Sequence, residues 1–162
     1  NHSDSPNKDF KVNPQYINRN PRCLEQAGIA PKPLGWQLQN PSRTYHHKIK
    51  FDISARNIIA EIIHNSGKVV VSASTKEKAI KAHLHSCNDK SAALNLGRIL
   101  AHRCLQAGIT RVKYQFQIAD RQSERMEVFL SALRSNKLII SEKNTFKPHY
   151  IPGIDYERPN RY

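Results

Sequence analysis

Gly67–Ile109, GKVVVSASTKEKAIKAHLHSCNDKSAALNLGRILAHRCLQAGI, decides how the rest of the chain is read. Val69–Val71 is a β-branched run behind the turn Asn65-Ser66-Gly67, the signature of a strand. Ser74 follows as a helix N-cap, with Glu77 three residues on to complete a capping box. Ala79, Ile80 and Leu84 then give a short helix an apolar side. A longer helix is expected over 91–107, with Gly108 as its C′ residue. At 100° per residue Ala93, Leu96, Gly97, Leu100, Ala101, Cys104 and Leu105 share one arc; Asn95, Arg98, His102, Arg103 and Gln106 share the other. Ile99 fits neither. One face therefore lies on something, and Gly97 and Ala101 allow a close approach.

Upstream, Ile49, Phe51 and Ile53 alternate with Lys48, Lys50 and Asp52, a half-buried strand of period two. Ile58–Ile63 is a second strand, too apolar to show which face is inside. Short turns link these runs to Val69–Ala73, so an antiparallel meander is predicted, with the helices on its apolar face. The opposite face would show His46, Lys48, Lys50 and Ser72. Downstream, Arg111–Phe116 alternates as a fourth strand, which a crossover could bring into the sheet. Asp120 is expected to cap a helix through Ser135, striped by Met126, Phe129, Leu130 and Leu133. Leu138-Ile139-Ile140 is a short strand. The fold class is thus α/β (α+β): a mixed sheet of four to five strands with helices on one face.

The ends read differently. Residues 1–44 are punctuated by Pro6, Pro14, Pro21, Pro31, Pro33 and Pro41, which disfavour helix and central strand alike. They form an extended arm with a basic node at Asn18–Arg22 and with Trp36 as an anchor to the domain. Residues 45–141 form the domain. Residues 142–162, polar and carrying Phe146, Tyr150, Tyr156 and Tyr162, read as a tail that orders on a partner. The chain begins at Asn1, not Met, which points to removal of an N-terminal segment.

With 26 Lys+Arg against 13 Asp+Glu the net charge is +13, a balance that calls for a polyanion, most commonly nucleic acid. The excess is spread: +3 over 1–47, +6 over 48–108 and +4 over 109–162. That distribution suits embedding in a polyanion better than a single groove. No stretch approaches the ~18 apolar residues of a membrane span. Cys23, Cys87 and Cys104 are odd in number and lack metal-ligand spacing, which favours a reducing compartment, with Cys104 as a small buried hydrophobe.

Catalytic patterns are weak. His83-x-His85-x-Cys87 has no matching second half-site for a structural zinc. His46-His47 reads as a solvated pair at a strand edge. Asp120, Glu124 and Glu127, flanked by Arg121 and Arg125, read as a solvated ion-pair face. Gly67-Lys68 lacks the remaining parts of a phosphate loop. No cofactor, metal or small-molecule substrate is expected. The basic groups, by contrast, suit phosphate contacts collectively: Lys48 and Lys50 on a strand, Lys68 at a turn, Lys76, Lys78 and Lys81 at the short helix, and Arg19, Arg22 and Arg43 on the arm. A basic arm beside an open sheet suits irregular folded RNA better than a DNA groove.

The same stretch resembles the large-subunit ribosomal protein L18 family, which binds 5S ribosomal RNA. The family pattern G-K-x-x-x-S-A-S-T falls on Gly67, Lys68, Ser72, Ala73, Ser74 and Thr75. The pattern G-x-x-x-A-x-x-x-x-x-x-G-I falls on Gly97, Ala101, Gly108 and Ile109. Asn18–Arg22 with Leu24-Glu25, and the block Cys104–Ile109, resemble the mitochondrial branch. The likeness covers about 18–140. It departs where bacterial members carry Phe-Asp-Arg and a Gly-rich segment; here Tyr114–Arg121 stand instead. The tail after Glu142 matches nothing bacterial.

The resemblance implies a structural, non-catalytic protein of the central protuberance of the mitochondrial large ribosomal subunit, carrying a transit peptide and residing in the matrix. It implies RNA contacts by Arg19, Arg22, Arg43, His46, Lys48, Lys50, Lys68, Ser72, Ser74 and Lys76. The implied partners are large-subunit ribosomal RNA, 5S rRNA or the structural tRNA that replaces it in animal mitochondria, and neighbouring mitoribosomal proteins. Two rivals stand beside this reading. One is an extra-ribosomal carrier that imports 5S rRNA. The other is an RNA-processing enzyme using His46, His47 or Asp120.

Overall fold

The structure is a computed structural model and describes residues 23–28, 30–32, 43–115 and 123–143. In chain order these form α1 (Leu24–Ala27), β1 (His47–Ile53), β2 (Ile58–His64), β3 (Val69–Ser74), α2 (Lys78–Lys81), α3 (Lys90–Gln106) and α4 (Glu124–Ser135). The three strands make the expected antiparallel meander, with β2 central. The strand alternation sets which face is inside. Ile49 stands opposite Ile62, and Ile62 opposite Val71; Phe51, Ala60 and Ala73 form the next rung. Their side chains join Leu96, Leu100 and Cys104 of α3 and Met126, Phe129 and Leu133 of α4 in one core. Both long helices therefore lie on one face of the sheet. Burying each large apolar side chain contributes roughly 1.5–3 kcal/mol.

The α3–α4 contact uses the absence of a side chain at Gly97. A Cβ there would lie 2.9 Å from Ala132 Cβ and 3.0 Å from the Phe129 carbonyl oxygen. The predicted close approach is this helix crossing. Phe129 continues from it to the sheet, its ring 4.4 Å from that of Phe51. Helix α3 starts at Lys90, where the Asp89 side chain caps it by accepting from the Ala92 N–H at 2.7 Å. At its other end Gly108 adopts φ 78°, the left-handed geometry expected of it.

Several expectations are corrected. Only half of the Ser74–Glu77 box forms: the Ser74 N–H donates to Glu77 Oε1 at 2.9 Å, but the Glu77 N–H donates to the Ser74 carbonyl, not its hydroxyl, and the segment is a turn. Thr75 is fully buried and accepts from the Ile58 N–H at 3.0 Å, so the chain stays tied to β2 until then. Helix α2 begins only at Lys78 and spans one turn, without Leu84. Helix α4 starts after Ser123, whose side chain makes no capping bond; Asp120 lies outside the described residues. The arm holds a turn of helix after all, α1, ahead of its prolines at 31 and 33. The fourth and fifth strands are reduced to parallel bridges, Lys48 with Lys113 and Arg111 with Ile139. Their hydrogen bonds, Lys113 N–H to the His47 carbonyl (2.7 Å) and Val112 N–H to the Ile139 carbonyl (3.0 Å), extend the sheet beyond β1. Trp36 and the segment 144–162 lie outside the described residues.

Candidate nucleic-acid interface

The face of the sheet away from the helices carries Lys48, Lys50 and Asp52 from β1, Ile59, Glu61 and Ile63 from β2, and Ser72 from β3. Alternation with the buried set Ile49, Ala60, Ile62, Val71 and Ala73 places them there. All are exposed or half-buried. Lys48, Lys50 and Ser72 are thus brought together as the sequence predicts.

Their charges are not equivalent. Lys50 pairs with Asp52 at 2.7 Å and stands across the ladder from Glu61. The hydrogen bond to Asp52 raises its pKa above the usual lysine value. Lys48 instead sits 6.0 Å over the Tyr45 ring, a cation–π position that fixes the ammonium without neutralising it. The parallel bridge sets Lys113 beside Lys48, and the Lys113 ammonium donates to the Thr44 carbonyl at 3.0 Å. Sequence reasoning missed Lys113 as part of this surface. The signal was its alternation with fully buried Val112, but the neighbour it would meet depends on the crossover.

The remaining candidates scatter. Lys68 is exposed at the β2–β3 turn, and Lys76 is exposed at the opposite end of β3. Arg43 is exposed ahead of β1; Arg19 and Arg22 lie outside the described residues. Ser74 is committed to the turn, where its hydroxyl oxygen accepts from the Lys76 N–H at 3.1 Å. Ser72 shows its side chain, while its carbonyl accepts from Arg103 at 2.6 Å. Arg103 also grips Glu77 through both guanidinium nitrogens, at 2.9 and 2.6 Å. That pairing holds the Glu77 carboxyl below the usual range and covers part of the open edge of β3.

His46 is a correction. It is 6% exposed, not part of the open face, and its Nε2 finds no hydrogen-bond partner among the described residues. His47 is half-buried, so the pair is not solvated. Burial pushes the His47 pKa down, against the opposing pull of Glu25. Both backbone amides end on one carboxylate: His46 N–H donates to Glu142 Oε1 and Oε2 (2.9 and 3.1 Å), and His47 N–H to Oε1 (2.8 Å). Lys32 completes the cluster 2.8 Å from Oε2, with both side chains nearly buried. Glu25 of α1 meets His64 at 2.7 Å. Segments 23–32 and 142–143 are thereby fastened to the same end of the sheet.

Elsewhere, Glu124 pairs with Lys90 of α3, and Arg125 donates to the Asn88 side chain at 2.7 Å rather than to a carboxylate; Asp120 and Arg121 lie outside the described residues. Cys104 is fully buried, and burial pushes its thiol up to about 12, an inert hydrophobe. Among the described residues no three His, Cys, Asp or Glu side chains stand close enough to hold a metal ion, and no helix is long and apolar enough to cross a membrane.

Comparison with known proteins converges on one family. Residues 41–139 match the family described as ribosomal L18 of archaea, bacteria, mitochondria and chloroplast. The large ribosomal subunit protein uL18m of Caenorhabditis elegans is 36% identical over 130 residues, covering 78% of this chain and 76% of that one. The large ribosomal subunit protein uL18 of Acetivibrio thermocellus is 44% identical over 62 residues, 38% of this chain and 51% of its own. That of Shewanella oneidensis is 39% identical over 59 residues, 36% and 51% respectively. The matched span contains the whole meander, α2, α3 and α4, and the lysine-bearing face. A three-stranded sheet with its helices on one face, a lysine-bearing opposite face and this breadth of sequence match lead to one conclusion: the chain belongs to the ribosomal L18 family.

Proposed function

We propose that the protein is a structural, non-enzymatic constituent of the mitochondrial large ribosomal subunit that docks RNA on the helix-free face of its sheet. The mitochondrial setting rests on the match to uL18m, which spans most of both chains. The observation that carries the docking surface is the Lys48–Lys113 bridge. It sets two cations side by side on a face that the two long helices leave uncovered. Lysine ammonium groups on an open sheet meet phosphates, which position a protein without reading sequence. Within the subunit we assign it to the central protuberance, on 5S rRNA or on a tRNA in its place, with large-subunit rRNA and neighbouring ribosomal proteins around it. Arg43, Lys68, Ser72 and Lys76 extend the contact toward both ends of β3. Arg19 and Arg22 would extend it along the arm.

Crosslinking followed by sequencing of RNA co-purified from mitochondria tests the assignment. Crosslinks from residues 43–76 to large-subunit rRNA and to a 5S RNA or tRNA are expected. Sedimentation away from ribosomes with scattered messages would overturn it. In vitro, Lys48→Gln should weaken binding of a 5S transcript more than Lys50→Gln, because Asp52 already neutralises Lys50. Removing one phosphate-binding cation should flatten the slope of log affinity against log salt by roughly 0.7–0.9.

A further inference from the structure

A cavity of about 320 Å³ opens where β1 begins, β2 ends and α3 closes. His46, His47, His64, Val70, Arg111 and Lys143 are among its lining residues. We propose that it is a nucleobase pocket, taking one unstacked base of the RNA docked on the neighbouring sheet face; this rests on the RNA-binding reading above. Three features carry it.

First, His46 is among the lining residues and 6% exposed, and its Nε2 is sealed from solvent without a partner among the described residues. Buried polar atoms find partners, so a turn of this ring toward the cavity, onto a group with a hydrogen-bonding edge, would relieve it. Second, His47 and His64 place two rings 5.5 Å apart at 53°, an aromatic wall, and Val70 adds an apolar lip that is 48% exposed. Imidazole faces stack on bases. Third, the two carboxylates at the cavity are already occupied, Glu25 by His64 and Glu142 by Lys32 and two amides. Arg111 and Lys143 make no ion pair among the described residues, and so remain available for a phosphodiester. An inorganic anion would leave the aromatic wall unused. An aliphatic ligand would leave Nε2 unpaired. A planar heteroaromatic ring carrying a phosphate uses every part.

The full chain, labelled with nitrogen-15, is titrated with AMP, GMP, CMP and UMP in turn while the imidazole resonances of His46 and His47 are followed. At least one nucleotide should shift His46 saturably. His46→Phe should weaken the response read at His47. Val70→Glu, at the exposed lip, sets a like charge beside the nucleotide phosphate and should lower affinity about tenfold. No imidazole response to any nucleotide, or a response unchanged in Val70→Glu, overturns the pocket. Binding of a 5S transcript is measured in parallel. A chain that holds the transcript but shows no imidazole response loses the pocket and keeps the docking face. A chain that binds no RNA loses both.

Discussion

Glu142 serves three donors with one carboxylate, two of them main-chain amides with no other acceptor among the described residues. Glu142→Ala would leave both amides without this acceptor and the nearly buried Lys32 ammonium with the Lys143 carbonyl alone. Breaking a buried pair costs about 3–5 kcal/mol, and urea denaturation should show a loss of that order. Limited proteolysis should then cut first within 23–32. His47 sets a pH dependence of its own. Its folded pKa is lowered by burial, so the unfolded chain binds the proton more readily. Stability from this residue is present above the ordinary imidazole value of 6.5 and falls away as pH drops below it. Thermal denaturation across pH 5–7.5 should show that decline, and His47→Asn should flatten it. Neither residue's role was legible in the sequence. Alternation places His46 on a strand edge, but only the return of the chain ninety-six residues later covers it.

At the scale of elements, Gly97→Ala separates two opposing effects. In an exposed helix the exchange stabilises by about 1 kcal/mol. Here the added Cβ lies 2.9 Å from Ala132 Cβ and 3.0 Å from a backbone oxygen, so α3 and α4 must part. A net loss of about 1–3 kcal/mol is expected by equilibrium unfolding. This crossing was readable beforehand, because a 3.6-residue stripe with Gly97 and Ala101 in its centre requires a close neighbour. The strands were readable too, since Ile49 and Phe51 alternate with lysines. What local pattern could not supply was where an element stops. Ser74 and Glu77 have the spacing of a capping box, yet only half of it forms, and the tie of Thr75 to Ile58 keeps the helix from starting there. In the docking face, Lys48 and Lys50 looked alike in sequence. Tyr45 and Asp52 make them different, one fixed and charged, the other paired.

For the whole molecule, a net charge of +13 opposes compaction when no polyanion is present. Raising NaCl from 0.05 to 0.5 M should therefore raise the Tm of the isolated chain, by about 4–8 °C for each kcal/mol of repulsion screened. A chain whose Tm falls with salt would contradict that. Within the sheet, Lys48 and Lys50 stay on one side because helices cover the other, and the crossover returns the chain beside β1 to add Lys113. The clasp between Lys32 and Glu142 also fixes an order of events as the chain enters the matrix. Lys32 arrives 110 residues before its partner. The meander and helices can assemble in that interval, and the N-terminal segment latches last. A chain halted in transit before residue 142 should thus carry a finished sheet and an unfastened N-terminal segment, still free to be handled by whatever meets it first.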